Sequence, residues 1–594
     1  AKPIVGPAAG RALARRLRRH GREGFRVNVN LLGEAVLGEG EATARLQAIE
    51  ALIDRTDVTH VSVKASAILS QMQPVAFDAT VRLLTERFGQ LFGRAGGAEP
   101  PVLVNVDMEE RRDLRATVTA FTAALDAPEL LHCTAGIALQ AYLPESLAVL
   151  DEMIGWAGER AARGGAPVKV RIVKGANLAM ERVDAELHGW PEAPYPTKAA
   201  TDAAFRRAVV RLLDPSSRGL RAGVASHNVF DIALAHGLAT RLGTRDRLDI
   251  EMLDGMANPQ ARAVRDLLGP VLLYTPIVER GDLDSAVAYL ARRLDENSAP
   301  DNYLRHALAG DPGWFDSEAD RFRASFRKPP ATLGHRVVGE CETGEFRNEP
   351  DTDLSDAVAR AGILAAVDAR RRAPAPAVPA VDEAAVRVAW PAARAAVPRW
   401  ESLGEDGRRR LLDRAARIMA DERASTIAAM VVDARKTVPE ADPEVSEAID
   451  FARYYGRAAR STESWGASRP RGVVVIAAPW NFPYAIPAGG VFGALAAGNA
   501  VILKPAPETV GPASVLVDQC RRAGIPSDVL QLVPCRDDEA GRLLICGEGT
   551  DAVILTGAHE TAMQFRRWRP DLHLLAETSG KNAMVITETA DIDQ

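Results

Sequence analysis

Short apolar runs recur through the first half of the chain, and each of them has a polar or ionisable residue at or near its end. Eight such runs, rich in Val, Ile and Leu, are separated by long charged amphipathic stretches: VNVNLL (27–32), HVSVKAS (60–66), PVLVNVDM (101–108), GIALQAY (136–142), VKVRIVKGA (168–176), RAGVASH (221–227), LDIEML (248–253) and VLLYTPI (271–277). Runs of this length that are apolar on both faces are typical of buried parallel strands, and the stretches between them are typical of outer helices. The pattern predicts an α/β fold, a (β/α)8 barrel whose chemistry lies at the carboxyl ends of the strands.

The polar residues of these runs are predicted to surround the mouth of the barrel, because its parallel strands all end on the same side. They are Lys64, Asp107, Gln140, Arg171, Lys174, His227, Glu251 and Tyr274. A single strand-end lysine is usually an ordinary salt-bridge partner. Eight such residues in seven of the eight runs instead indicate a site.

A helical stretch after the eighth run adds four candidates on one face. In YLARRLDEN, Tyr289, Arg292, Arg293 and Glu296 follow one another at i, i+3, i+4 and i+7. Adjacent guanidinium groups can bind a carboxylate through two planar forks, which a lysine cannot do. Paired arginines occur elsewhere in the chain and by themselves indicate a solvated helix face, so it is the neighbouring Tyr289 and Glu296 that favour a site.

The second half of the chain has a different pattern. An amphipathic helical region runs from about residue 384 to 465, followed by strands at GVVVIAAP (472–479), AVILKPAP (500–507), VLQLVP (529–534), AVILTG (552–557), LHLLAET (572–578) and AMVIT (583–587). Strands that alternate with helices predict an open doubly wound sheet with a nucleotide at its carboxyl edge, although no GxGxxG follows any strand. The Pro/Ala-rich RRRAPAPAVPAVDE (370–383) is typical of a linker, and we expect a barrel domain at 1–310, a connecting segment at 311–383 and a second domain at 384–594.

Composition excludes several classes of protein. With 594 residues, 47% hydrophobic and 26% charged, the chain has the make-up of a multidomain soluble protein. A net charge of −6 without a basic stripe argues against nucleic acid as a partner. The five cysteines form no CxxC pair, which argues against a disulfide framework or a metal site and favours a reducing cytoplasm. No secretion signal or run of 18 apolar residues is present.

The chain begins without Met and stops within a βαβ-like pattern, so we expect it to be a fragment.

Seven motifs of the first half carry a family resemblance. In order along the chain they are VSVKASA, VNVDMEE, VRIVKGANLAMERVDAELHGWP, PYPTKAATD, VASHN, EMLDGM and YLARRLDEN. These motifs resemble the proline dehydrogenase family, a distorted (β/α)8 barrel that binds FAD. The resemblance implies that Arg292 and Arg293 bind the carboxylate of L-proline and that Lys64, Tyr274 and Tyr289 line its pocket. It also implies a set of residues that hold the flavin: Asp107, Gln140, Arg171, Lys174, Gly175, Thr197, Lys198, His227, Asn228 and Glu296.

Two of these implied roles have a physical basis. A cation such as Arg171 near the isoalloxazine stabilises the anionic reduced flavin, and Gly175 permits close approach of the backbone. The chain departs from the family at one place: where many bifunctional members read KGAYW it reads KGANL, so Asn177 and Leu178 replace residues that include an aromatic beside the flavin.

Motifs of the second half resemble another family. Four of them are PWNFPYAIP (479–487), GNAVILKPAPET (498–509), ILTGAHET (554–561) and AETSGKNAMVI (576–586). These four resemble the aldehyde dehydrogenase superfamily. A further segment, FRNEPDTDLSD (346–356), is similar to the joining segment of bifunctional proline-utilisation flavoenzymes. The resemblance implies an NAD site. Asn481 would donate to a developing oxyanion and Glu577 would be the general base. Lys504, Glu508 and Gly557 would contact the cofactor.

Two departures bear on this second activity. The family's TGS reads TGA, so Ala558 supplies no hydroxyl to the cofactor. The family's nucleophilic cysteine lies some tens of residues beyond the general base, whereas 17 residues follow Glu577 here. Since acyl transfer through a thiohemiacetal needs a thiolate, we expect this chain not to oxidise glutamate semialdehyde even where its complete parent does.

The expected function is therefore FAD-dependent oxidation of L-proline to 1-pyrroline-5-carboxylate, with a membrane quinone as electron acceptor; a complete parent would also oxidise glutamate semialdehyde to glutamate with NAD. The expectation is compatible with a cytoplasmic protein at the inner face of the membrane and with a homo-oligomer. Two alternatives stay open. One is a monofunctional proline dehydrogenase whose second domain is a scaffold, and the other is a flavin-free barrel that senses a ligand or regulates DNA.

Overall fold

The computed structural model describes residues 4–8, 10–33, 36, 38–279, 282–298, 302–309, 313–326, 346–374, 378–461 and 469–587. These residues form two compact units. The first extends to Leu187 and resumes at Pro191, and the second contains His188–Trp190 and the described residues from 346 onward.

Eight parallel strands close the barrel of the first unit, and a two-residue strand precedes them. The strands are β1 Gly6–Pro7, β2 Arg26–Leu31, β3 His60–Lys64, β4 Leu103–Asp107, β5 Ala135–Gln140, β6 Val168–Val173, β7 Leu220–Ala225, β8 Leu248–Leu253 and β9 Val271–Val278. From β2 to β9 each strand pairs in parallel with the next, and β9 returns to β2 with Leu272 opposite Arg26. Each barrel strand overlaps one of the eight apolar runs, so the predicted (β/α)8 barrel is confirmed.

Helices lie between these strands, and three more follow the last of them. They are α1 Gly10–Arg22, α2 Glu39–Ile53, α3 Ala65–Ile68, α4 Phe77–Gly96, α5 Leu114–Asp126, α6 Glu145–Ala162, α7 Leu178–His188, α8 Lys198–Leu213, α9 Val229–Leu242, α10 Asn258–Leu268, α11 Leu283–Ser298, α12 Tyr303–Ala309 and α13 Trp314–Ala324. Apolar residues at helical spacing explain the packing: α4 buries Leu84, Phe88, Leu91 and Ala95 on one side.

The two faces of the barrel strands differ in polarity. The outward-facing valines Val61, Val63, Val104 and Val106 belong to one large apolar core. The residues between them are polar and are also buried: Asn28, Asn30, Ser62, Asn105, Lys169, Arg171, Asp249 and Glu251. The expectation that both strand faces are apolar is therefore wrong for the inner face. Charged groups occupy that face because, as described below, they pair with one another there.

The second unit contains a five-stranded parallel sheet. Its strands, β10 Val473–Ala477, β11 Ala500–Lys504, β12 Leu530–Leu532, β13 Ala552–Gly557 and β14 Leu574–Thr578, lie in the order β12-β11-β10-β13-β14. Strands thus extend to both sides of β10, which confirms the doubly wound fold. The strand predicted at 583–587 is wrong: this segment has no regular structure, its apolar side chains are exposed, and no described strand pairs with it.

The helices of the second unit begin before the sheet. They are α14 Ala357–Arg372, α15 Glu383–Glu401, α16 Gly404–Asp421, α17 Arg423–Asp433, α18 Val438–Ser461, α19 Ala485–Ala496, α20 Val510–Arg522, α21 Glu539–Cys546 and α22 His559–Trp568. Of the predicted linker at 370–383, residues 375–377 lie outside the described residues, 370–372 end α14 and Glu383 begins α15.

Candidate active site

The predicted strand-end residues of the barrel lie at one mouth, but at three different depths. They are found at the last position of a strand (Lys64, Asp107, Gln140), in the loop that follows one (Lys174, His227) or within a strand (Arg171, Glu251, Tyr274). The third group therefore faces the barrel interior below the rim.

Arg171 is the centre of a buried network of ion pairs. Its Nε donates to Glu251 Oε2 at 2.7 Å and its Nη1 donates to Asp107 Oδ1 at 2.6 Å. The Tyr274 hydroxyl donates to the second oxygen of Asp107 at 2.8 Å. Burial raises the pKa of Asp107, but Arg171 and the hydrogen bond from Tyr274 oppose this and stabilise the carboxylate. Arg171 is thus a cation held from two sides.

The network continues to residues that the sequence analysis did not single out. Lys169 is fully buried, and its Nζ lies 2.5 Å from Glu251 Oε1 and 3.1 Å from Asp249 Oδ2. Arg26 donates to Asp249 Oδ1 at 2.5 Å. Although burial favours the neutral acid, Arg171 and Lys169 hold the pKa of Glu251 below its usual value.

Cations and anions therefore alternate along what we call the charge column: Arg26, Asp249, Lys169, Glu251, Arg171 and Asp107. A signal for it exists in the sequence. Charges occupy the second and fourth positions of both VKVRIV and LDIEML, and every second residue of a strand faces the same side.

Lys64 lies at the rim in a smaller cluster. Its Nζ is 2.6 Å from Glu109 Oε1 and donates to the Gly33 carbonyl at 3.2 Å. The Glu109 carbonyl accepts from Gln140 Nε2 at 3.0 Å and from Asn177 Nδ2 at 2.8 Å. The Asn177 that departs from the family motif therefore helps to fix the loop that orients Lys64, whereas the neighbouring Leu178 is exposed.

Lys174 and Lys198 converge on carboxylates that the sequence analysis missed. Lys174 Nζ lies 2.5 Å from Asp202 and 3.0 Å from Asp231, and Lys198 Nζ lies 2.7 Å from the second oxygen of Asp202. Against the effect of burial, the two lysines lower the pKa of Asp202 to about 2. Asp202 lies four residues beyond Lys198 on α8, a spacing that could have indicated the pair.

Three further predicted residues act on the backbone. Thr197 and Asn228 cap the first turns of α8 and α9 by accepting from the amides of Ala200 and Phe230. Gly175 has φ +127°, and a Cβ there would overlap the ring of Tyr142. Glycine is thus required at this position because the ring of Tyr142, a residue of the barrel itself, lies so close.

Among the buried polar atoms at the mouth that lack a hydrogen-bond partner in the described residues are Gln140 Oε1 and His227 Nδ1. His227 Nε2 accepts the amide of Leu253 at 3.2 Å, so the hydrogen-bond pattern assigns the ring proton to Nδ1. Burial lowers the pKa of His227 to about 4, so the ring is neutral at neutral pH. An unused acceptor and an unused donor at one mouth fit a heteroaromatic group such as a flavin, which carries both functions.

Helix α11 carries the four predicted residues of the YLARRLDEN motif. Arg293 lies over the Tyr289 ring, 5.4 Å from its centre, and its Nη2 is 2.7 Å from Glu296 Oε1. Arg292 is half-buried on the same helix. The Tyr289 hydroxyl is buried without a partner in the described part of the barrel. Burial raises the pKa of Tyr289, and raises that of Tyr274 well above its usual value, so both phenols are neutral donors.

In the second unit, most of the predicted site residues lie near the carboxyl edge of the sheet. Lys504 ends β11, Asn481 lies in the turn after β10, and Gly557 ends β13 beside β14, which carries Glu577. Lys504 is buried and its Nζ is 2.7 Å from Asp537, whereas Asn481, Glu508 and Glu577 are exposed.

The helix that follows β10 is closed to an anion by a buried carboxylate. Glu444 accepts from the amides of Tyr484 and Ala485 at 3.0 Å each, at the first turn of α19. Lys436 binds both Glu444, at 2.5 Å, and the Asn481 carbonyl, at 3.0 Å. The first turn of α22, by contrast, follows Ala558 and has no side-chain cap. A nucleotide phosphate at this edge would find its free helix amides at α22.

None of the described helices is both long and apolar enough to cross a membrane. Within the same residues, no cluster of three or more His, Cys, Asp or Glu side chains suits a metal ion.

Comparisons with known proteins match each unit to one family. The proline dehydrogenase family model matches residues 13–306, and the aldehyde dehydrogenase family model matches residues 363–594. The bifunctional protein PutA of Salmonella typhimurium is 27% identical over 657 aligned positions, which cover 100% of this chain and 49% of that protein. The chain thus spans about half the length of the curated relatives it matches.

Solved structures are also similar. The structure of proline utilization A from Corynebacterium freiburgense has 42% sequence identity and a TM-score of 0.86, covering 97% of this chain and 57% of that one. A crystal structure of proline utilization A from Bdellovibrio bacteriovorus inactivated by N-propargylglycine has 27% identity and a TM-score of 0.86, with 97% and 66% covered.

Proposed function

We propose that the barrel of this chain is an FAD-dependent L-proline dehydrogenase, because its two regions match the proline dehydrogenase and aldehyde dehydrogenase family models in the order found in the proline-utilisation proteins it resembles. The product would be 1-pyrroline-5-carboxylate. The observation that carries the proposal is the chemistry of the mouth: two arginines and a buried phenol on α11 share it with the unpaired polar atoms of Gln140 and His227.

The arginines are suited to bind the carboxylate of proline. Two guanidinium groups present several donors in fixed planes, which orient a carboxylate as well as neutralise it. Glu296 lies against Arg293 and sets the direction of its fork. Tyr289 and Tyr274, both neutral, line the pocket beside them. The ring nitrogen of proline must be unprotonated when the hydride leaves its neighbouring carbon, since the lone pair forms the new C=N bond.

FAD bound at this mouth would supply the hydride acceptor. The cofactor would be held by the ten residues predicted for it: Asp107, Gln140, Arg171, Lys174, Gly175, Thr197, Lys198, His227, Asn228 and Glu296. The fixed charge of Arg171 favours an anionic product next to it, and the charge column keeps this guanidinium in place. Lys64, held by Glu109, would complete the substrate side of the rim.

An absorption spectrum of the purified 594-residue chain tests the proposal. We expect a visible flavin band that bleaches on anaerobic addition of L-proline and not of D-proline. An Arg293→Met variant should keep the band but need much more proline to bleach it, because one fork of the carboxylate site is lost. A band that survives L-proline would refute the substrate, and a chain that retains no flavin would favour the ligand-sensing alternative.

For the second unit we propose an NAD site at the carboxyl edge of the sheet. Lys504, Glu508 and Gly557 would contact the nucleotide, while Asn481 and Glu577 would serve aldehyde oxidation in the whole protein, which would convert glutamate semialdehyde to glutamate. The first turn of α22 supports this placement. Isothermal titration with NAD should detect binding that weakens in Lys504→Ala, and identical titrations for the two proteins would contradict the role of Lys504.

We further propose a cytoplasmic homo-oligomer that meets a membrane quinone at the inner face of the membrane. Reduction of a short-chain quinone by the chain with L-proline, and its sedimentation with quinone-containing vesicles, would support this. Transfer to soluble acceptors alone would overturn the quinone assignment.

A further inference from the structure

The first described residues of the chain lie against the helix that carries the paired arginines. Residues 4–8, which we call the N-terminal strap, include β1, which pairs in parallel with the end of β9. The Ala8 amide also donates to the Val278 carbonyl at 2.8 Å. Ile4 and Val5 pack against a small apolar cluster that contains Tyr289, Ala286 and Leu32. The strap therefore supports α11 from its buried side.

One guanidinium ties the strap to the barrel. Arg16 of α1 donates from Nη2 to the Ile4 carbonyl at 2.9 Å, and from Nε and Nη2 to Asp254 Oδ2 at 3.1 and 2.7 Å. Asp254 follows β8 directly and also contacts His20 Nε2 at 3.0 Å. Arg16 and Asp254 are both largely shielded from solvent, so this tie is little weakened by competing water.

Two glycines let the strap lie this close. A Cβ at Gly6 would overlap the Arg16 guanidinium. Gly255, with φ +88°, faces the strap from the other side, and a Cβ there would come within 3.3 Å of the Ile4 Cα. The strap thus fits between Arg16 and the turn after β8 without room for a side chain at either glycine.

The position of α11 depends on few buried contacts. Among its described side chains, Ser285, Ala286 and Tyr289 are buried, and the last two belong to the cluster that the strap covers. Its outward residues Val287, Leu290 and Leu294 are exposed. A shift of the strap would therefore pass to Tyr289 and, one helical turn later, to Arg292 and Arg293.

We propose that the N-terminal strap, locked by Arg16, is a positioning element for the substrate-carboxylate site on α11. This inference rests on the proposed function, since it assigns Arg292 and Arg293 to the carboxylate of proline. Ile4, Gly6 and Arg16 touch neither substrate nor flavin in this assignment. They act through Tyr289 and the placement of the helix.

The test is a matched pair of glycine substitutions. Gly6→Ala places a methyl group where the Arg16 guanidinium lies, whereas Gly21→Ala, on α1, meets no heavy atom within 4 Å. For Gly6→Ala we expect the KM for L-proline to rise about tenfold with kcat and FAD content nearly unchanged, because misplaced arginines weaken binding of the substrate without altering the reacting centre. Gly21→Ala should match the parent chain.

A second pair keeps the proposal testable if Gly6→Ala folds poorly. Arg16→Met removes the tie and should raise KM, while Arg16→Lys keeps the charge and should restore part of the affinity. Backbone amide hydrogen exchange of α11 should be faster in Gly6→Ala and Arg16→Met than in the parent, a readout that does not depend on catalysis.

The results separate this inference from the proposed function. If the parent binds FAD but does not oxidise proline, the proposed function fails, and faster exchange of α11 in the variants would still support the strap as its positioning element. An unchanged KM and unchanged α11 exchange in Gly6→Ala and Arg16→Met would overturn the inference. So would a fall in kcat and FAD content in proportion to the rise in KM, which would indicate general loss of the barrel.

Discussion

The two units place their polar residues in opposite ways. In the barrel, the charge column pairs three cations with three anions, and all of them except Arg26 are largely shielded from solvent. At the sheet edge of the second unit, Asn481, Glu508 and Glu577 are exposed, and the buried Lys504 pairs with an exposed Asp537. A buried charge requires a partner, whereas an exposed one is stabilised by water. The charge column is therefore held together by its own ion pairs, whereas the exposed residues at the sheet edge do not require such partners.

The largest expected effect comes from breaking the charge column. Lys169→Met would leave Glu251 and Asp249 with one cation fewer in a site closed to water, and we expect a loss of about 3–5 kcal/mol in the free energy of unfolding. Denaturant unfolding monitored on the barrel measures it. The double variant Lys169→Met/Asp249→Asn should recover part of the loss, because it restores the balance of charges.

The second unit provides the control for this prediction. Arg399 and Asp528 form an ion pair there with both side chains substantially exposed, at 61% and 36%. Arg399→Met should change the free energy of unfolding by less than about 1 kcal/mol. Equal losses in the two variants would contradict the comparison between a buried and a solvated charge.

The charge column also marks the limit of sequence reasoning. Strands and their ends could be predicted because apolar runs and intervening helices repeat at regular spacing, and Arg171, Asp107 and Tyr274 were identified on that basis. Lys169 was not, although it lies two residues before Arg171 on the same strand face. Its role depends on Asp249 and Glu251, which are about 80 residues away, and strand order alone does not tell which charges meet across a barrel. The strand predicted at 583–587 fails for a related reason: its apolar composition says nothing about a partner strand.

One glycine in each unit tests the same difference between the barrel and the sheet edge, with a smaller expected effect on stability. Gly175→Ala would force a methyl group into the Tyr142 ring at φ +127°, and we expect a loss of about 2–4 kcal/mol together with weaker retention of FAD. Gly557→Ala in the second unit would meet only the Leu555 side chain at 3.5 Å, an ordinary contact. Its thermal midpoint should stay close to that of the parent. If Gly175→Ala is as stable as the parent, the residues around Gly175 at the mouth move aside more readily than their packing implies.

The smallest effect is a difference in the sign of the pH dependence. In the barrel, burial lowers the pKa of His227 to about 4 from an ordinary value of 6.5, so the unfolded chain binds the extra proton first. His227 should therefore cost the barrel about 2–3 kcal/mol of stability as the pH falls from 6.5 to 4, with none of this cost above 6.5. His227→Gln should flatten that slope.

Asp450 of the second unit should act in the opposite direction. Burial raises the pKa of its carboxyl to about 6, against the opposing effects of the Glu349 amide and Arg453. The folded state then holds a proton that the unfolded state has released between pH 3.8 and 6, so its contribution to stability is present at low pH and is lost as the pH rises through 6. Hydrogen exchange measured separately on α9 and α18 at pH 4.5 and 7 can resolve the two trends. Asp450→Asn should remove the pH trend in α18 and leave the trend in α9 unchanged, because each slope arises from the titration of one buried group in its own unit. Parallel slopes in both helices would contradict this, since they would mean that a charge effect common to the whole chain outweighs the two local environments.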